Sequence, residues 1–244
     1  MQLKLMAITI FMVPAALSAI GFAADPPMES VPVTEGLVAA WDFRGEGAEV
    51  ARDVTGNGHD AKIGGAPTYV DSPTGRALVL DDRLRVYVKD HEALRLQDAL
   101  TIDAWIRVDE PSDTYRAVLV KGNAAYRMQV SPKNTAYFGI KGTVPDNSKP
   151  RLDFGRGALK LKTWHRITAV WQKPVITLYV DGEKVGSGKK DITPHLEGSL
   201  TIGSYGGKSY KFEGMIDQIR LYNIPRPPQA GDEKPIEMKP EEGK

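Results

Sequence analysis

The sequence of 244 residues contains no cysteine, so the fold must do without disulfides and no thiol can serve as a nucleophile or metal ligand. Histidine is also scarce, and its positions show neither the H-x-H nor the H-E-x-x-H spacing of zinc sites. These histidines are His59, His91, His165 and His195. No serine stands in a G-x-S-x-G context, and no glycine-rich phosphate loop lies between a strand and a helix. The sequence therefore argues against thiol, serine-hydrolase, zinc and nucleotide chemistry.

The chain also lacks an apolar run long enough to span a membrane. The run "LMAITIFMVPAALSAI" has 16 residues and is interrupted by Pro14, whereas a spanning helix needs roughly 20. Lys4 precedes the run, and Gly21 and Ala23 are the small residues that a signal-peptide cleavage site needs at −3 and −1. We therefore predict a signal peptide over residues 1–23 and a mature protein that is secreted, periplasmic or on the cell surface.

The two ends of the mature chain have too little apolar pattern to form a core. Residues 24–35 hold three prolines and are predicted to be a linker. Residues 225–244 hold five prolines and nine charged residues, so burial of apolar surface cannot offset the entropy of ordering them. We predict that this tail is disordered and that residues 36–224 form one domain.

No segment of residues 36–224 shows a sustained helical period, and about a dozen short strand candidates follow one another between glycine turns. In "TIDAWIRV" (101–108), Trp105 and Arg107 lie opposite the apolar side of the strand. In "VITLYV" (175–180), Tyr179 does the same. Alternation with period two gives each strand a core face and a partly exposed face. The sequence therefore predicts an all-β, two-sheet antiparallel β-sandwich.

Charge is distributed unevenly along the chain. Residues 25–113 carry 18 acidic and 9 basic residues, whereas residues 114–211 carry 6 acidic and 17 basic residues. The basic residues are densest between residues 141 and 173. Two interpretations stay open: the two halves neutralise each other within the fold, or the second half forms a basic surface for an anionic partner. Export and the lack of a nucleic-acid motif argue against nucleic acid as that partner.

Eight motifs, in a fixed order with similar spacing, resemble the LamG-like jellyroll family of the concanavalin A-like lectin and glucanase superfamily. They are "GLVAAWDF", "DVTGNGHDAKI", "ALVLDDRLRVYV", "ALTIDAWIRV", "TWHRITAVWQ", "ITLYVDGEKVGSG", "LTIGS" and "FEGMIDQIRLYN". The resemblance covers about residues 36–224 and implies two antiparallel sheets, one concave and one convex. The sequence departs from the family where "VLDDRLRVYV" lacks a glycine after its first aspartate and in the insertion-like stretch 142–162.

The same resemblance implies a role for the turn that opens "DVTGNGHDAKI". In the family this D-x-x-G-N-G turn follows the first strand. Gly56 and Gly58 are then expected to adopt backbone angles that other residues reach only at a cost, and Asp53 to accept backbone N–H bonds. Many superfamily members also hold a structural calcium ion near the meeting point of the first and last strands. The oxygen ligands would be Asp42, Asp53, Asn57 and Asp217. The alternative, in which these groups only satisfy the turn and buried donors, stays open.

The superfamily includes glycoside hydrolases and polysaccharide lyases, so catalysis has to be considered. The E-x-D-x-x-E strand signature of its hydrolases does not occur in this sequence. Asp103, Asp109 and Glu110 are close in sequence, but no partner completes the pair of carboxyl groups about 5 to 10 Å apart that glycoside hydrolysis usually needs. We predict no catalytic residues and a protein that is not an enzyme.

Recognition of sugars is the better interpretation, because sugar rings stack on tryptophan and tyrosine while polar neighbours orient the hydroxyls. The predicted ligand-binding residues are Trp105, Arg107 and Tyr179, with Tyr126 or Tyr137 as further candidates. The predicted function is non-catalytic binding of a polysaccharide or surface glycoconjugate, which is anionic if the basic stretch takes part. A protein–protein or structural module of the cell envelope is the first alternative, and a divergent hydrolase or lyase is the second.

Three aromatic residues are expected in the core, namely Trp41, Trp164 and Phe212. His165 is expected to pack beside Trp164.

Overall fold

The computed structural model describes residues 34–44, 49–145, 148–149 and 151–232. The predicted signal peptide 1–23 and most of the predicted linker 24–35 lie outside the described residues. Among the described residues, no helix has the length and apolarity needed to cross a membrane.

Short strands make up most of the described chain, with a single 3-10 turn at Glu92–Leu94. The strands are β1 (Leu37–Trp41), β2 (Val50–Ala51), β3 (Ala61–Gly64), β4 (Thr68–Ser72), β5 (Gly75–Leu80), β6 (Arg85–Val88), β7 (Ala99–Val108), β8 (Arg116–Lys121), β9 (Tyr126–Val130), β10 (Thr135–Thr143), β11 (Arg151–Ala158), β12 (Trp164–Gln172), β13 (Val175–Val180), β14 (Glu183–Lys189), β15 (Thr193–Pro194), β16 (Leu200–Ile202) and β17 (Gly214–Tyr222).

The described strands form two antiparallel sheets. The first sheet has the order β14-β13-β12-β7-β17-β5-β4, with β1 also paired to β17. The second sheet has the order β11-β10-β9-β8-β16-β6-β3-β2, with β15 also paired to β10. The insertion-like stretch 142–162 contains β11, which forms the edge of the second sheet. The predicted all-β, two-sheet antiparallel sandwich is confirmed.

Alternation along the central strand β7 separates the core from the outer face. Ile102 and Ile106 are 0% and 1% exposed and belong to one continuous apolar cluster between the sheets. Met128 and Phe138 reach the same cluster from the second sheet. Each such side chain stabilises the fold by roughly 1.5 to 3 kcal/mol on burial. Burial of the apolar side chains therefore determines which face of each strand packs in the core and which face is available for binding.

Three large aromatic residues were expected in the core, and the structure confirms this for two of them. Trp41 and Phe212 are both fully buried. Trp164 is only half-buried and lies on the outer face of the first sheet, so the prediction that it is a core residue is wrong. His165 is buried, and it bonds Asp181 through Nδ1 and the backbone N–H of Lys160 through Nε2.

Asp53 organises the turn after β1. Its Oδ1 accepts hydrogen bonds from the N–H and hydroxyl of Thr55 at 3.1 and 2.7 Å, and its Oδ2 accepts the N–H of His59 at 3.1 Å. Gly56 and Gly58 have φ values of +78° and +82°, where a Cβ costs free energy. The roles predicted for the glycines and for Asp53 in the turn are thus confirmed.

The domain continues beyond its predicted end at residue 224. In the 225–232 segment, Arg226 and Asp232 are 3% and 2% exposed. The Asp232 carboxylate accepts hydrogen bonds from Arg226 at 2.6 and 2.8 Å and from Arg166 at 3.0 Å. Arg166 in turn forms a bidentate pair with Asp103 at 2.8 and 2.9 Å. Disorder from residue 225 is therefore wrong for this segment, because its charges are paired rather than solvated. The rest of the predicted tail, 233–244, lies outside the described residues.

Candidate functional site

The outer face of the first sheet is partly closed by the 225–232 segment. Thr101 and Asp103 point outward from β7, yet both are buried beneath this segment. The Thr101 hydroxyl donates to the carbonyl of Ile224 and accepts the N–H of Arg226, each at 2.8 Å. The polar groups at the centre of this face are therefore used to attach the end of the domain.

The structure does not bring the three predicted ligand-binding residues into one cavity. Trp105 and Trp164 line a pocket of about 570 Å³, which we call the tryptophan pocket. Tyr179 lines a separate cleft of about 330 Å³ on the same face. Arg107 pairs with Asp109 at 2.7 Å and lines neither of these two cavities.

The outer face of the second sheet carries an aligned row of side chains. Strand register aligns one row of residues across six strands. Three of the four inner positions of this row are glycine, valine and threonine, whose short side chains lower the floor of the face. From β11 to β6 the row is Asp153, Gly139, Arg127, Val120, Thr201 and Tyr87. A Cβ at Gly139 would lie 2.6 Å from Asp153 Oδ1 and 2.8 Å from Arg127 Cζ. Glycine at this position therefore lets that ion pair cross the sheet.

Four tyrosines surround one end of this face and form, with their polar neighbours, the tyrosine cleft of about 260 Å³. Tyr115 contacts Tyr137 and Tyr210 edge to face, with ring centroids 4.9 and 6.2 Å apart. Tyr205 contacts Tyr210 in the same way at 5.9 Å. Such edge-to-face pairs hold the rings in defined orientations. The cleft thus offers several aromatic surfaces in a fixed arrangement.

Positive charge exceeds negative charge in the tyrosine cleft. Arg127 is 7% exposed, pairs with Asp153, and donates from Nε to Gln129 Oε1 at 3.1 Å. Arg151 pairs with the same Asp153 at 2.9 Å. Half-buried Lys141 adds a third cation to the lining. One carboxylate against three cations leaves the cleft with a net charge of about +2 at neutral pH.

Tyr137 contributes a neutral hydroxyl to this cleft, because burial raises the pKa of its phenol above the usual range. The Arg127 guanidinium lies 5.8 Å from the centre of its ring, within cation–π distance. Tyr126, the other candidate, is fully buried and donates its hydroxyl to the carbonyl of Leu94 at 2.8 Å. Tyr137 is therefore at the surface cleft and Tyr126 is part of the core.

A second cleft of about 450 Å³ lies beside the tyrosine cleft on the same face, and we call it the glycine cleft. Its main side chains are Arg85, Tyr87, Asn123, Glu197, Ser199 and Thr201. Tyr87 is 43% exposed, which is unusual for a large aromatic. Gly122 has φ +51°, and a Cβ there would lie 2.0 Å from the carbonyl oxygen of Glu197. Glycine is thus required for the close approach of two loops that shape this cleft.

The residues predicted as calcium ligands are already surrounded by hydrogen-bond donors. Asp217 is fully buried, and its Oδ2 accepts the hydroxyls of Ser72 and Thr74 at 2.6 and 2.5 Å. Asn57 donates its side-chain amide to the carbonyl of Val38 at 2.8 Å. A calcium ion bound at these oxygen atoms would have to displace or share these donors.

Two further observations bear on the calcium site. Asp42 accepts the N–H of Arg44 and pairs with its guanidinium at 3.3 Å, and both oxygens of Asp53 are engaged in the turn. Within the described ranges, no group of three His, Cys, Asp or Glu residues could hold a metal ion. Calcium binding by Asp42, Asp53, Asn57 and Asp217 stays a prediction that a chelator can test.

Two antiparallel sheets packed face to face, with clefts on the outer face of one sheet, define a jellyroll β-sandwich. The chain belongs to the concanavalin A-like lectin/glucanases superfamily, because residues 82–230 match the Laminin_G_3 family model. This match ends in the 225–232 segment, in agreement with a domain that continues past residue 224. No curated protein matches the sequence.

Solved structures with the same fold include two toxin binding domains and one domain of an arabinanase. The binding domain of Paraclostridial Mosquitocidal Protein 1 is similar with a TM-score of 0.63 and 17% identity over 78% of this chain and 49% of that one. Domain 4 of AbnA, an extracellular GH43 arabinanase from Geobacillus stearothermophilus solved with arabinotriose, has a TM-score of 0.59 and 18% identity. The match covers 78% of this chain and 93% of that domain. The binding domain of botulinum neurotoxin DC in complex with SialylT has a TM-score of 0.59 and 14% identity. The match covers 79% of this chain and 49% of that one. The chain thus spans about half the length of the two toxin domains, and these likenesses show the fold.

Proposed function

We propose that the domain is a non-catalytic module that binds an anionic polysaccharide or surface glycoconjugate on the outer face of the second sheet. The observation that carries this proposal is the tyrosine cleft, in which four tyrosines surround three cations and one carboxylate. Aromatic rings supply stacking surfaces for the C–H faces of sugar rings. Lysine and arginine side chains supply the charge that a uronate or sulfate group needs.

The geometry divides recognition between the walls and the floor of the cleft. Tyr210 is 43% exposed and presents its ring at the rim, where a sugar ring can stack. Arg127 is held at the floor by Gln129 and Asp153, so its guanidinium is fixed before a ligand arrives. A preorganised guanidinium loses little side-chain entropy when it pairs with an anion. Lys141 adds a flexible cation that adjusts to the position of the acidic group.

The location on the second sheet is favoured over the location predicted from the sequence. Around the tryptophan pocket, Arg166 is already paired with Asp103 and Asp232, so its charge is balanced within the fold. On the second sheet, the Arg151 side chain is 58% exposed and shares Asp153 with Arg127, and half-buried Lys141 lines the same cleft. Long-range attraction of an anionic chain therefore points to the second sheet.

The absence of catalysis is part of the proposal. The lining of the tyrosine cleft holds one carboxylate, Asp153, and the lining of the glycine cleft holds one, Glu197. Asp153 is paired with two arginines, and Asp103 is buried against Arg166. Glycoside hydrolysis usually needs two carboxyl groups facing one bond. An arrangement with one carboxylate in each cleft supports binding rather than hydrolysis.

Relatives of this fold support a sugar ligand without defining it. The arabinanase domain was solved with arabinotriose, and one neurotoxin binding domain was solved with SialylT. Another neurotoxin DC structure contains rat synaptotagmin II, so a protein partner is the competing proposal for this chain. The predicted signal peptide is the basis for proposing that the protein meets its ligand outside the cytoplasm. Amino-terminal sequencing of the exported protein should begin at Ala24, and retention of Met1 would contradict export by cleavage.

A direct binding series tests the proposed site. In titration calorimetry with acidic and neutral oligosaccharides, the acidic ones should bind more tightly, and their binding should weaken as NaCl is raised from 50 to 300 mM, because salt screens exposed charges. Lys141→Gln should weaken binding about fivefold to tenfold, and Trp105→Ala should leave it unchanged. Loss of binding in Trp105→Ala with wild-type affinity in Lys141→Gln would place the site at the tryptophan pocket. No binding to any glycan, together with capture of an envelope protein that sugars do not displace, would favour the protein partner.

A further inference from the structure

We infer that the ligand is a chain carrying both acidic and uncharged sugars, which crosses the second sheet so that an acidic unit occupies the tyrosine cleft and an uncharged unit the glycine cleft. This inference rests on the proposed function and extends it from one cleft to two. It follows from three features of the second sheet: the spacing of the clefts, the wall between them and their unequal charge.

The two clefts are neighbours on one continuous face. Strand register aligns Arg127 on β9 with Val120 on β8, Val120 with Thr201 on β16, and Thr201 with Tyr87 on β6. Three strand spacings of about 4.8 Å put Arg127 and Tyr87 about 14 Å apart. An occupant of both clefts must therefore be longer than one sugar ring and must run across the strands.

A single hydrogen bond forms the wall between the clefts. Tyr205 lines the tyrosine cleft and donates its hydroxyl to Asn123 Oδ1 at 2.6 Å, and Asn123 lines the glycine cleft. Both groups lie near the surface, where this bond is exposed to water. The wall is therefore shallow enough for an extended chain to pass over while two of its units sit in the clefts.

The two clefts differ in charge. Three cations and one carboxylate line the tyrosine cleft, whereas Arg85 and Glu197 balance each other in the glycine cleft. The glycine cleft also offers an exposed ring at Tyr87 and the neutral polar groups of Asn123 and Ser199. Such a lining suits stacking and hydroxyl or amide hydrogen bonds rather than an anion.

The difference in charge between the two clefts disfavours both a chain of acidic sugars only and a chain of neutral sugars only. A chain in which every sugar is acidic places an anion beside Glu197, and like charges at short distance reduce affinity. A chain of neutral sugars does not neutralise the excess positive charge of the tyrosine cleft and gains nothing from it. A chain that contains both kinds of unit satisfies both clefts.

Calorimetry with three hexasaccharides of equal length tests this inference. The probes are an alternating glucuronic acid and N-acetylglucosamine hexasaccharide, hexagalacturonate and cellohexaose. We expect the mixed probe to bind about tenfold more tightly than either uniform probe. Tyr87→Ala should weaken binding of the mixed hexasaccharide about tenfold, which corresponds to about 1.4 kcal/mol. The same variant should bind the disaccharide of glucuronic acid and N-acetylglucosamine as the wild type does. Glu197→Gln should instead tighten the binding of hexagalacturonate severalfold. A merely structural role of Glu197 would not produce this gain in affinity.

The controls separate this inference from the proposed function. Tyr179→Ala changes an aromatic residue on the other sheet and should bind all three probes like the wild type. If Lys141→Gln weakens the mixed probe while Tyr87→Ala and Glu197→Gln change nothing, the ligand uses the tyrosine cleft alone, and the inference is wrong while the proposed function stands. If none of the three probes binds the wild-type protein, the proposed function itself fails.

Discussion

Replacing Asp232 by asparagine removes the carboxylate that attaches the 225–232 segment to the first sheet. Burial alone would raise the pKa of Asp232, but hydrogen bonds from Arg226, the N–H of Gln229 and Arg166 outweigh that effect and lower the pKa from 3.8 to about 2. A difference of roughly 2 units corresponds to about 2.5 kcal/mol in favour of the charged form in the folded protein. Breaking a buried ion pair by removing one partner typically costs about 3 to 5 kcal/mol. We therefore expect Asp232→Asn to lower the free energy of unfolding by about 2 to 4 kcal/mol.

Thermal melting at several pH values checks this expectation. In a domain of this size each kcal/mol shifts the melting temperature by about 2 to 4 °C, so the variant should melt roughly 5 to 15 °C below the wild type at pH 7. Because the folded pKa lies below the unfolded one, the carboxylate stabilises the fold above about pH 4, and that contribution is lost as the pH falls towards 2. The gap between the two proteins should therefore narrow between pH 4 and pH 3.

The matched control is Asp191→Asn. Asp191 pairs with Lys173 at 3.1 Å, but its side chain is 57% exposed, and exposed ion pairs contribute about 0 to 1 kcal/mol. Its melting temperature should stay within about 4 °C of the wild type. If Asp232→Asn melts like Asp191→Asn at pH 7, the 225–232 segment does not stabilise the domain, and the boundary at residue 224 would be the better one.

Three further outcomes are expected from the fold. Gly122→Ala should lower the free energy of unfolding in urea by at least about 3 kcal/mol, because the added Cβ would lie 2.0 Å from a backbone oxygen. The control Gly182→Ala, at φ +84° with open space around it, should lower it by only about 1 to 2 kcal/mol. Equal losses in the two variants would contradict the close approach of the two loops. Asp53→Ala should lower the free energy of unfolding by about 2 to 4 kcal/mol, since it leaves several turn donors without an acceptor, and a wild-type urea midpoint would show that the turn does not depend on them. If the predicted calcium site exists, a calcium chelator should lower the melting temperature and added calcium restore it, and an unchanged melting curve would rule it out.

Alternation along the strands was sufficient to predict the sandwich and most of its core. Period two placed Ile102 and Ile106 inward on β7, where the structure has them. The same rule, applied to "WHRITAVW", would have placed Trp164 outward, because Ile167 and Trp171 share the other side and are buried. The position of Trp164 in the strand, rather than its large aromatic side chain, therefore decides that it lies on the outer face.

The candidate site could not be predicted in the same way, because its residues come from distant segments. Tyr115, Tyr137 and Tyr205 meet in one cleft only through the pairing order of the second sheet. No local spacing connects them in the sequence. One signal was present: the densely basic region that starts at Lys141 contributes Lys141 and Arg151 to that cleft.

The uneven charge of the chain has a different consequence on each sheet. On the first sheet, Asp103 from the acidic half pairs with Arg166 from the basic half, both nearly fully buried. A buried pair of this kind balances charge inside the fold and leaves little field outside it. On the second sheet, the basic half supplies the cations of the tyrosine cleft, and Asp153 is the one acidic residue in its lining. Neutralisation of one half by the other therefore describes the buried Asp103–Arg166 pair, and an excess of basic residues describes the tyrosine cleft. An anionic ligand should meet the second sheet because the lining of the tyrosine cleft there carries more cations than carboxylates.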